Sequence, residues 1–239
     1  MTTSVESKVN ELISGISQFN TVHTPQFYDL GTNEGRQAIA AVLALPGVTV
    51  YDTLYSQLKE LIKSKKPRIT YTQEMLEAEI AKHLGDKPLT EYGIWVYYPW
   101  SARLVHILGE EEFVELRTNR NKYKITDSER TTLAGKKVGV IGLSVGQSVS
   151  LTMAMERTFG ELRIADFDEL EITNLNRLRS GIHNMGLKKT VLVAREIAEI
   201  DPFLKVTCFH DGINDDNMEE FLLGNGKLDI LIDECDSVD

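Results

Sequence analysis

From residue 136 onward the chain alternates between short apolar stretches and longer amphipathic ones, which restricts the fold more than any other feature. The pattern predicts strands at 137–141, 162–165, 205–209 and 228–232, with helices at 147–159, 189–200 and 215–223. Elements of these lengths in this order form a parallel sheet with helices on both faces. The sequence therefore predicts a doubly wound, Rossmann-like α/β domain over residues 131–239. Its sheet would be truncated after the fourth strand, as in a fragment of a longer protein or in a chain that completes its sheet with a partner.

Residues 1–130 have a different character, and we expect them to form a separate α+β domain. Helical spacing predicts helices over 34–45, 52–63 and 73–83, and β-like patterns predict strands at 94–98, 102–108 and 112–117 in an antiparallel meander. The basic run at 63–68 is interpreted as a solvated helix end followed by a turn. The aromatic residues at 95–100 are interpreted as core, with a ligand-stacking platform as the alternative.

Composition and charge exclude several classes of function. The formal net charge of −10 argues against nucleic acid as the main partner, because an acidic surface repels phosphate backbones. The sequence has neither an apolar run of about 18 residues nor a signal peptide, which argues against a membrane location. The two cysteines, Cys208 and Cys235, cannot build a disulfide framework and are interpreted as packing residues. We therefore expect a cytoplasmic protein.

The turn at 142–148, between the first strand of the sheet and the next helix, is a candidate phosphate-binding site. Glycine permits a tight turn there, and a helix start offers free N–H groups and the positive end of a dipole. The dinucleotide-binding fingerprint has glycine at its first, third and sixth positions. This chain has Gly142, Ser144 and Gln147 at those positions, with Gly146 displaced. The departure disfavours a standard nicotinamide or flavin dinucleotide site but leaves nucleotide binding open.

Charged side chains follow the second strand of the same sheet. Asp166 lies 24 residues (166 − 142) after Gly142, about where a carboxylate binds ribose hydroxyls in nucleotide-binding sheets. Asn174 and Arg177 are three residues apart, so one helical turn would point both the same way, and Arg177 can donate two N–H groups to a phosphate. Lys189 begins the next helix, near the positive end of its dipole. The spacing predicts an acidic ribose clamp and two cations converging on a triphosphate.

Five segments together carry a family resemblance: the turn at 142–148, the carboxylates at 166–168, Asn-x-x-Arg at 174–177, and the segments 186–189 and 233–236. With them, residues 138–239 resemble the ThiF/MoeB group, bacterial relatives of ubiquitin-activating enzymes. The resemblance implies adenylyl transfer from ATP to a carboxylate. In that family the acceptor is the C-terminal glycine of a small ubiquitin-like or sulfur-carrier protein.

The resemblance also implies roles for individual residues. Asp166 would hold the ATP ribose, and Asp236 would carry Mg²⁺. The residues that would contact the phosphates are Asn174, Arg177 and Lys189. The remaining residues implied in nucleotide binding are Gly142, Ser144, Gly146 and Asp168. Family members are dimers in which an arginine ahead of the first strand reaches the partner's site. In this chain Arg120 is preferred over Arg117 for that role.

Other functions remain open. An NAD(P)- or FAD-dependent oxidoreductase would share the fold but leave Asn174, Arg177 and Lys189 unexplained. A non-catalytic scaffold would fit the missing glycines of the turn. A tRNA-modifying cyclase of the same group is disfavoured by the net charge. The variant turn is similar to a subgroup with a following nitroreductase-like flavin domain, although no FMN site can be assigned to these residues.

Overall fold

The computed structural model describes residues 4–17 and 20–235, and the chain divides into two compact units. The smaller unit is Pro25–Thr126, and the larger unit combines Asp127–Asp239 with Met1–Thr24. Within the described ranges, no helix has the length and apolar character needed to cross a membrane.

Both units contain helices and strands. The helices are α1 (Val5–Ser17), α2 (Asn33–Leu43), α3 (Leu54–Lys65), α4 (Gln73–Leu84), α5 (Glu110–Arg117), α6 (Asp127–Ala134), α7 (Leu143–Glu156), α8 (Lys189–Ile200) and α9 (Met218–Leu223). The strands are β1 (Gln26–Tyr28), β2 (Thr49–Asp52), β3 (Ile94–Tyr98), β4 (Arg103–Ile107), β5 (Lys137–Ile141), β6 (Glu161–Ala165), β7 (Lys205–Phe209) and β8 (Ile230–Asp233). Short 3₁₀ turns include Asn119–Asn121 and Ile172–Asn176.

The smaller unit packs helices on a four-stranded sheet in the order β1-β3-β4-β2. Strand β2 is parallel to β4, and the other pairs are antiparallel. The apolar face of α3 is buried as its helical spacing predicts, and it packs against α4 and Leu108. On β3, Trp95 is buried and stacks on the buried ring of His106, with 4.2 Å between ring centroids. The interpretation of these aromatic residues as core is therefore confirmed for Trp95, Tyr97 and Tyr98.

The prediction of a strand at 112–117 is wrong, because this segment lies in helix α5. Gly109 precedes an acidic first turn at 110–112, and negative side chains stabilise the positive end of a helix. Phe113 and Leu116 then pack from one face of the helix against the apolar face of α3. The three-stranded meander is also wrong, since β3 and β4 are flanked by β1 and β2.

The larger unit has a parallel sheet in the order β7-β6-β5-β8. Helices α7 and α8 pack on one face, around Val140, Ile164 and Val193. Helix α9 packs on the opposite face, where Phe221 contacts Phe209 edge to face. The doubly wound α/β fold is therefore confirmed. The strand order reverses between β5 and β8, and the carboxyl ends of strands beside such a reversal form a crevice suited to ligands.

The packing interpretation is confirmed for one cysteine and wrong for the other. Cys208 packs against the core of the larger unit, and this burial raises the pKa of its thiol to about 12. Cys235, in contrast, is exposed. It follows β8, which is an edge strand of the sheet and leaves about half of Ile230 and Leu231 exposed, at 47% and 49%. The sequence-based expectation of a buried fourth strand does not hold for this edge position.

Candidate functional site

The turn after β5 is shorter than predicted, because α7 begins at Leu143 rather than at residue 147. Gly142 adopts φ +80°, which lets the chain turn within one residue, and a Cβ there would lie 2.7 Å from the carbonyl oxygen of Glu234. A Cβ on Gly146 would lie 2.7 Å from a methyl carbon of Val140, so the helix rests directly on β5. Both glycines are therefore needed for close packing, and Ser144 lies in the first turn of the helix.

We expect Gly142→Ala to lower the free energy of unfolding by about 2–4 kcal/mol. Left-handed strain accounts for about 1–2 kcal/mol of this and the forced contact for the rest. Gly186→Ala is the matched control, because Gly186 has φ +81° and a Cβ at that position would have no atom within 4 Å. In urea denaturation, the control should lose only the part of the free energy of unfolding that comes from left-handed strain. If the two variants lost the same free energy of unfolding, the close approach at Gly142 would make no contribution to stability.

Asp166 ties the start of α7 to the end of β6. Its carboxylate accepts the N–H of Leu143 at 2.7 Å and the N–H of Asp168 at 2.7 Å, and the residue is buried. The N–H groups of Ser144 and Val145 have no acceptor within residues 4–17 and 20–235. Because the N-terminus of a helix carries partial positive charge, these two N–H groups can receive an anion.

Lys189 brings the polar groups at the strand ends together. It is the first residue of α8 and is buried, and its Nζ lies 2.6 Å from Asp168 Oδ2 and 3.9 Å from Asp166 Oδ2. The same Nζ donates to Ser144 Oγ at 3.2 Å. The side chain of Asp168 is 50% exposed, so the cluster opens to solvent on that side. We call these four residues, Ser144, Asp166, Asp168 and Lys189, the strand-tip site.

Asn174 and Arg177 do not share the surroundings that their spacing predicts. Asn174 belongs to the 3₁₀ turn Ile172–Asn176 and is buried, and its Oδ1 accepts the N–H of Glu171 at 3.0 Å, while Arg177 follows the turn. Arg177 is exposed and donates to Oδ1 of Asn176 at 3.0 Å. In the described part of the chain, no hydrogen bond or ion pair joins Arg177 to the strand-tip site. Asn174 thus shapes the turn, while Arg177 presents its guanidinium to solvent.

The loop between β6 and α8, which carries this turn, folds back on itself. Leu170 exchanges backbone hydrogen bonds with two residues near the end of the loop, accepting from Gly186 at 3.0 Å and donating to Leu187 at 2.8 Å. Leu170 and Leu178 pack on Leu192 of α8. The Asn-x-x-Arg segment is therefore held against the helix that begins with the buried lysine.

Gln147 links α7, α8 and this loop, a role that sequence reasoning missed. Its Nε2 donates to Glu196 Oε2 at 2.8 Å and to the carbonyl of Arg179 at 3.3 Å. Its Oε1 accepts the N–H of Arg179, also at 3.3 Å. The residue therefore does more than replace a fingerprint glycine. No local pattern could have indicated this, because Glu196 is 49 positions away in sequence.

The carboxyl of Glu196 gives the larger unit a pH-dependent stability. Burial raises its pKa to about 7, the hydrogen bond from Gln147 opposes this, and the charge of Glu199 adds to it. The stabilisation that the raised pKa gives is fully present below pH 4.5, the ordinary pKa of a glutamate. It is lost as the pH rises through about 7, because between these two values only the folded state binds the proton. We expect Glu196→Gln to abolish this decline in urea denaturation between pH 5 and 8. The exposed control Glu219→Gln should retain it, and an unchanged decline in Glu196→Gln would contradict the assignment.

The sequence also predicts catalytic roles for Arg120 and Asp236. Arg120 lies in the turn Asn119–Asn121 of the smaller unit. Asp236 lies outside the described residues. Within the described ranges, no group of three or more His, Cys, Asp or Glu side chains is arranged to hold a metal ion. The reach of Arg120 into the site of a homodimer partner and the binding of Mg²⁺ by Asp236 therefore stay predictions.

A comparison with known families identifies the fold. Residues 117–239, just over half of the chain, match the ThiF family. The chain belongs to the ThiF family. The matched range includes the whole strand-tip site, and the resemblance drawn from the sequence motifs is confirmed.

The chain is also similar to individual proteins whose names state different activities or none. It is 44% identical over 151 residues to uncharacterized protein MT1398 of Mycobacterium tuberculosis, covering 63% of this chain and 21% of that protein. It is 25% identical over 131 residues to tRNA threonylcarbamoyladenosine dehydratase 2 of Saccharomyces cerevisiae, covering 54% and 29%. It is 32% identical over 99 residues to ubiquitin-like modifier-activating enzyme 5 of Drosophila willistoni, covering 41% and 24%. The chain thus spans less than a third of the length of these relatives.

Proposed function

We propose that the larger unit binds ATP at the strand-tip site and transfers its adenylyl group to a carboxylate. The observation that carries the proposal is the buried ammonium of Lys189, which lies beside Ser144 at a helix start with two unpaired N–H groups. A cation and free backbone donors at one point are the groups that phosphate binding requires. Asp166 supplies the ribose acceptor, since each of its oxygens keeps a lone pair beyond the N–H bond it accepts.

In the proposed step, a carboxylate oxygen of the acceptor attacks the α-phosphorus of ATP. A P–O bond forms to the acceptor, the bond to the bridging oxygen breaks, and pyrophosphate leaves with that electron pair. No protein base is needed, because the nucleophile is already an anion. The residues have to neutralise charge on the phosphates, a role suited to the ammonium of Lys189 and the exposed guanidinium of Arg177.

Mg²⁺ would add charge neutralisation at the departing pyrophosphate. Asp236 is the residue proposed to hold it. Among the described carboxylates of the site, Asp168 is half exposed but is already paired with Lys189, and Asp166 accepts two backbone N–H groups. These two carboxylates are therefore assigned to the lysine and the ribose, and no step of the proposed reaction depends on the metal.

As acceptor we propose the C-terminal carboxylate of a ubiquitin-like or sulfur-carrier protein. The similarity to a ubiquitin-like modifier-activating enzyme supports this choice. A second candidate is a tRNA-linked threonylcarbamoyl group, favoured by the similarity to a tRNA threonylcarbamoyladenosine dehydratase. The net charge of −10 disfavours the tRNA acceptor, because a polyanion would be repelled outside the local cations.

The experiment is exchange of labelled pyrophosphate into ATP by the full chain. It is run with a ubiquitin-like protein ending in glycine, with the same protein amidated at its C-terminus, and with modified tRNA. Exchange that needs the free carboxylate supports the proposal. ATP binding without exchange under any condition would overturn adenylyl transfer in favour of a nucleotide-binding scaffold. Absorbance changes with NAD(P)H and no ATP binding would instead favour the oxidoreductase.

A further inference from the structure

The smaller unit contains a groove of about 1000 Å³, and none of the strand-tip residues lines it. It lies between the end of α3, helix α5 and the turn Asn119–Asn121. Three cations line it, Lys63, Arg117 and Arg120, against one acidic lining residue, Glu60. We call it the basic groove. The groove is therefore positively charged, although the chain as a whole has a formal net charge of −10.

Two of these cations have no ion-pair partner in the described part of the chain, namely Lys63 and Arg120. The two lysines that follow Lys63 in the basic run do have ion-pair partners. Lys65 lies within 4 Å of carboxylates on α5, and Lys66 lies 3.6 Å from Glu79. The basic run at 63–68 is therefore not one uniform solvated helix end. Two of its lysines are used in ion pairs, while Lys63 is left facing the groove.

The groove also has an apolar component. Phe113 and Leu116 of α5 are half-buried and line it together with Pro67. Tyr123 stands almost fully in solvent, 99% exposed, at its edge. A short set of cations beside apolar and aromatic side chains suits a peptide with both acidic and apolar residues. A nucleic acid backbone would instead need a longer row of cations.

We propose that the basic groove binds an acidic peptide segment of a partner protein. Carboxylates of the segment pair with Lys63 and Arg120, and an apolar side chain packs on Phe113 and Leu116 beside Tyr123. The volume is at the upper end of small-molecule pockets, which gives room for several peptide residues. The proposal goes beyond adenylation and does not depend on it.

Fluorescence anisotropy with the full chain tests the proposal. The probe is a labelled octapeptide of alternating Glu and Leu, and the control probes carry Gln in place of Glu or are a single-stranded RNA octamer. We expect the acidic peptide to bind and the Gln peptide to bind at least about 10-fold more weakly, with affinity falling as salt rises. RNA that binds more tightly than the acidic peptide would overturn the choice of partner.

Variants locate the binding site. Lys63→Glu should weaken peptide binding at least about 10-fold, because it reverses an unpaired charge in the groove. Lys87→Glu is the matched control, since it makes the same charge change at an exposed site that is not part of the groove lining, and it should bind within about 2-fold of the parent. Arg120→Gln repeats the test without a charge reversal, and circular dichroism confirms that each variant is folded. If Lys63→Glu and Lys87→Glu weakened peptide binding equally, the effect would come from the net charge of the chain, and the proposed site would be refuted.

Discussion

Replacing Lys189 by Met should abolish most ATP-dependent pyrophosphate exchange while leaving the chain folded. The ammonium is the one buried cation that we place against the phosphates, and a lost charge-assisted hydrogen bond costs about 1.5–3 kcal/mol, or roughly 10–150-fold in ATP affinity. If the contact strengthens in the transition state, the exchange rate should fall by about 10²–10³-fold. Calorimetry with ATP and exchange kinetics measure the two effects separately.

The Met variant should fold because its neighbours keep other partners. Asp166 accepts two backbone N–H groups, and Asp168 is half exposed and can be solvated. Met also retains most of the apolar stem of Lys189. Lys227→Met is the control, since Lys227 is exposed and precedes β8, at the opposite end of the sheet from the strand-tip site. A fully folded Lys189→Met protein with unchanged ATP affinity and exchange would remove this residue from the mechanism.

Replacing Arg163 by Met should lower the free energy of unfolding by about 3–5 kcal/mol, the largest stability effect that we expect. Arg163 is 2% exposed and donates to Glu161 at 2.9 Å and to the carbonyls of Phe221 and Gly226 at 2.7 and 2.8 Å. Its removal leaves a buried carboxylate and two carbonyls short of donors. Urea denaturation, with the slope compared between variants, measures the loss.

Lys205→Met is the matched control, because Lys205 contacts the same carboxylate of Glu161 at 3.1 Å from a side chain that is 54% exposed. An exposed ion pair contributes about 0–1 kcal/mol, so this variant should lose far less. Similar losses in the two variants would contradict the importance of burial here. Burial alone would raise the pKa of Glu161, but hydrogen bonds from Arg163, Lys205 and Asn225 hold it below the ordinary 4.5. The associated stability is present above pH 4.5 and is lost as the pH falls through the lowered pKa.

Much of the larger unit could be predicted from sequence because its central strands, β5 and β6, are buried on both faces. β5, β7 and α8 begin and end at the residues that their apolar patterns indicate. The smaller unit was harder to predict. β1 and β2 are short and largely exposed edge strands without alternation, and α5 combines β-like residues with an acidic first turn that only helix formation uses.

Some contacts of the candidate site could also be predicted from sequence, and others could not. The proximity of Lys189 and Asp166 follows from strand topology, since the carboxyl ends of parallel strands meet at one edge. The pairing of Lys189 with Asp168 and Ser144 depends on side-chain direction, which spacing does not specify. The surroundings of Asn174 depend on a 3₁₀ turn in place of an α-helical one. Long-range contacts of this kind carry no local sequence signal.

The most direct measurement is a crystal structure of the full chain with α,β-methylene ATP, whose bond between the first two phosphates cannot be broken by adenylyl transfer. A phosphate oxygen should lie about 3 Å from Lys189 Nζ, with the ribose hydroxyls on Asp166. The ammonium should then turn from Asp168 toward the nucleotide. Nucleotide bound elsewhere, with Lys189 still paired to Asp168, would contradict the account.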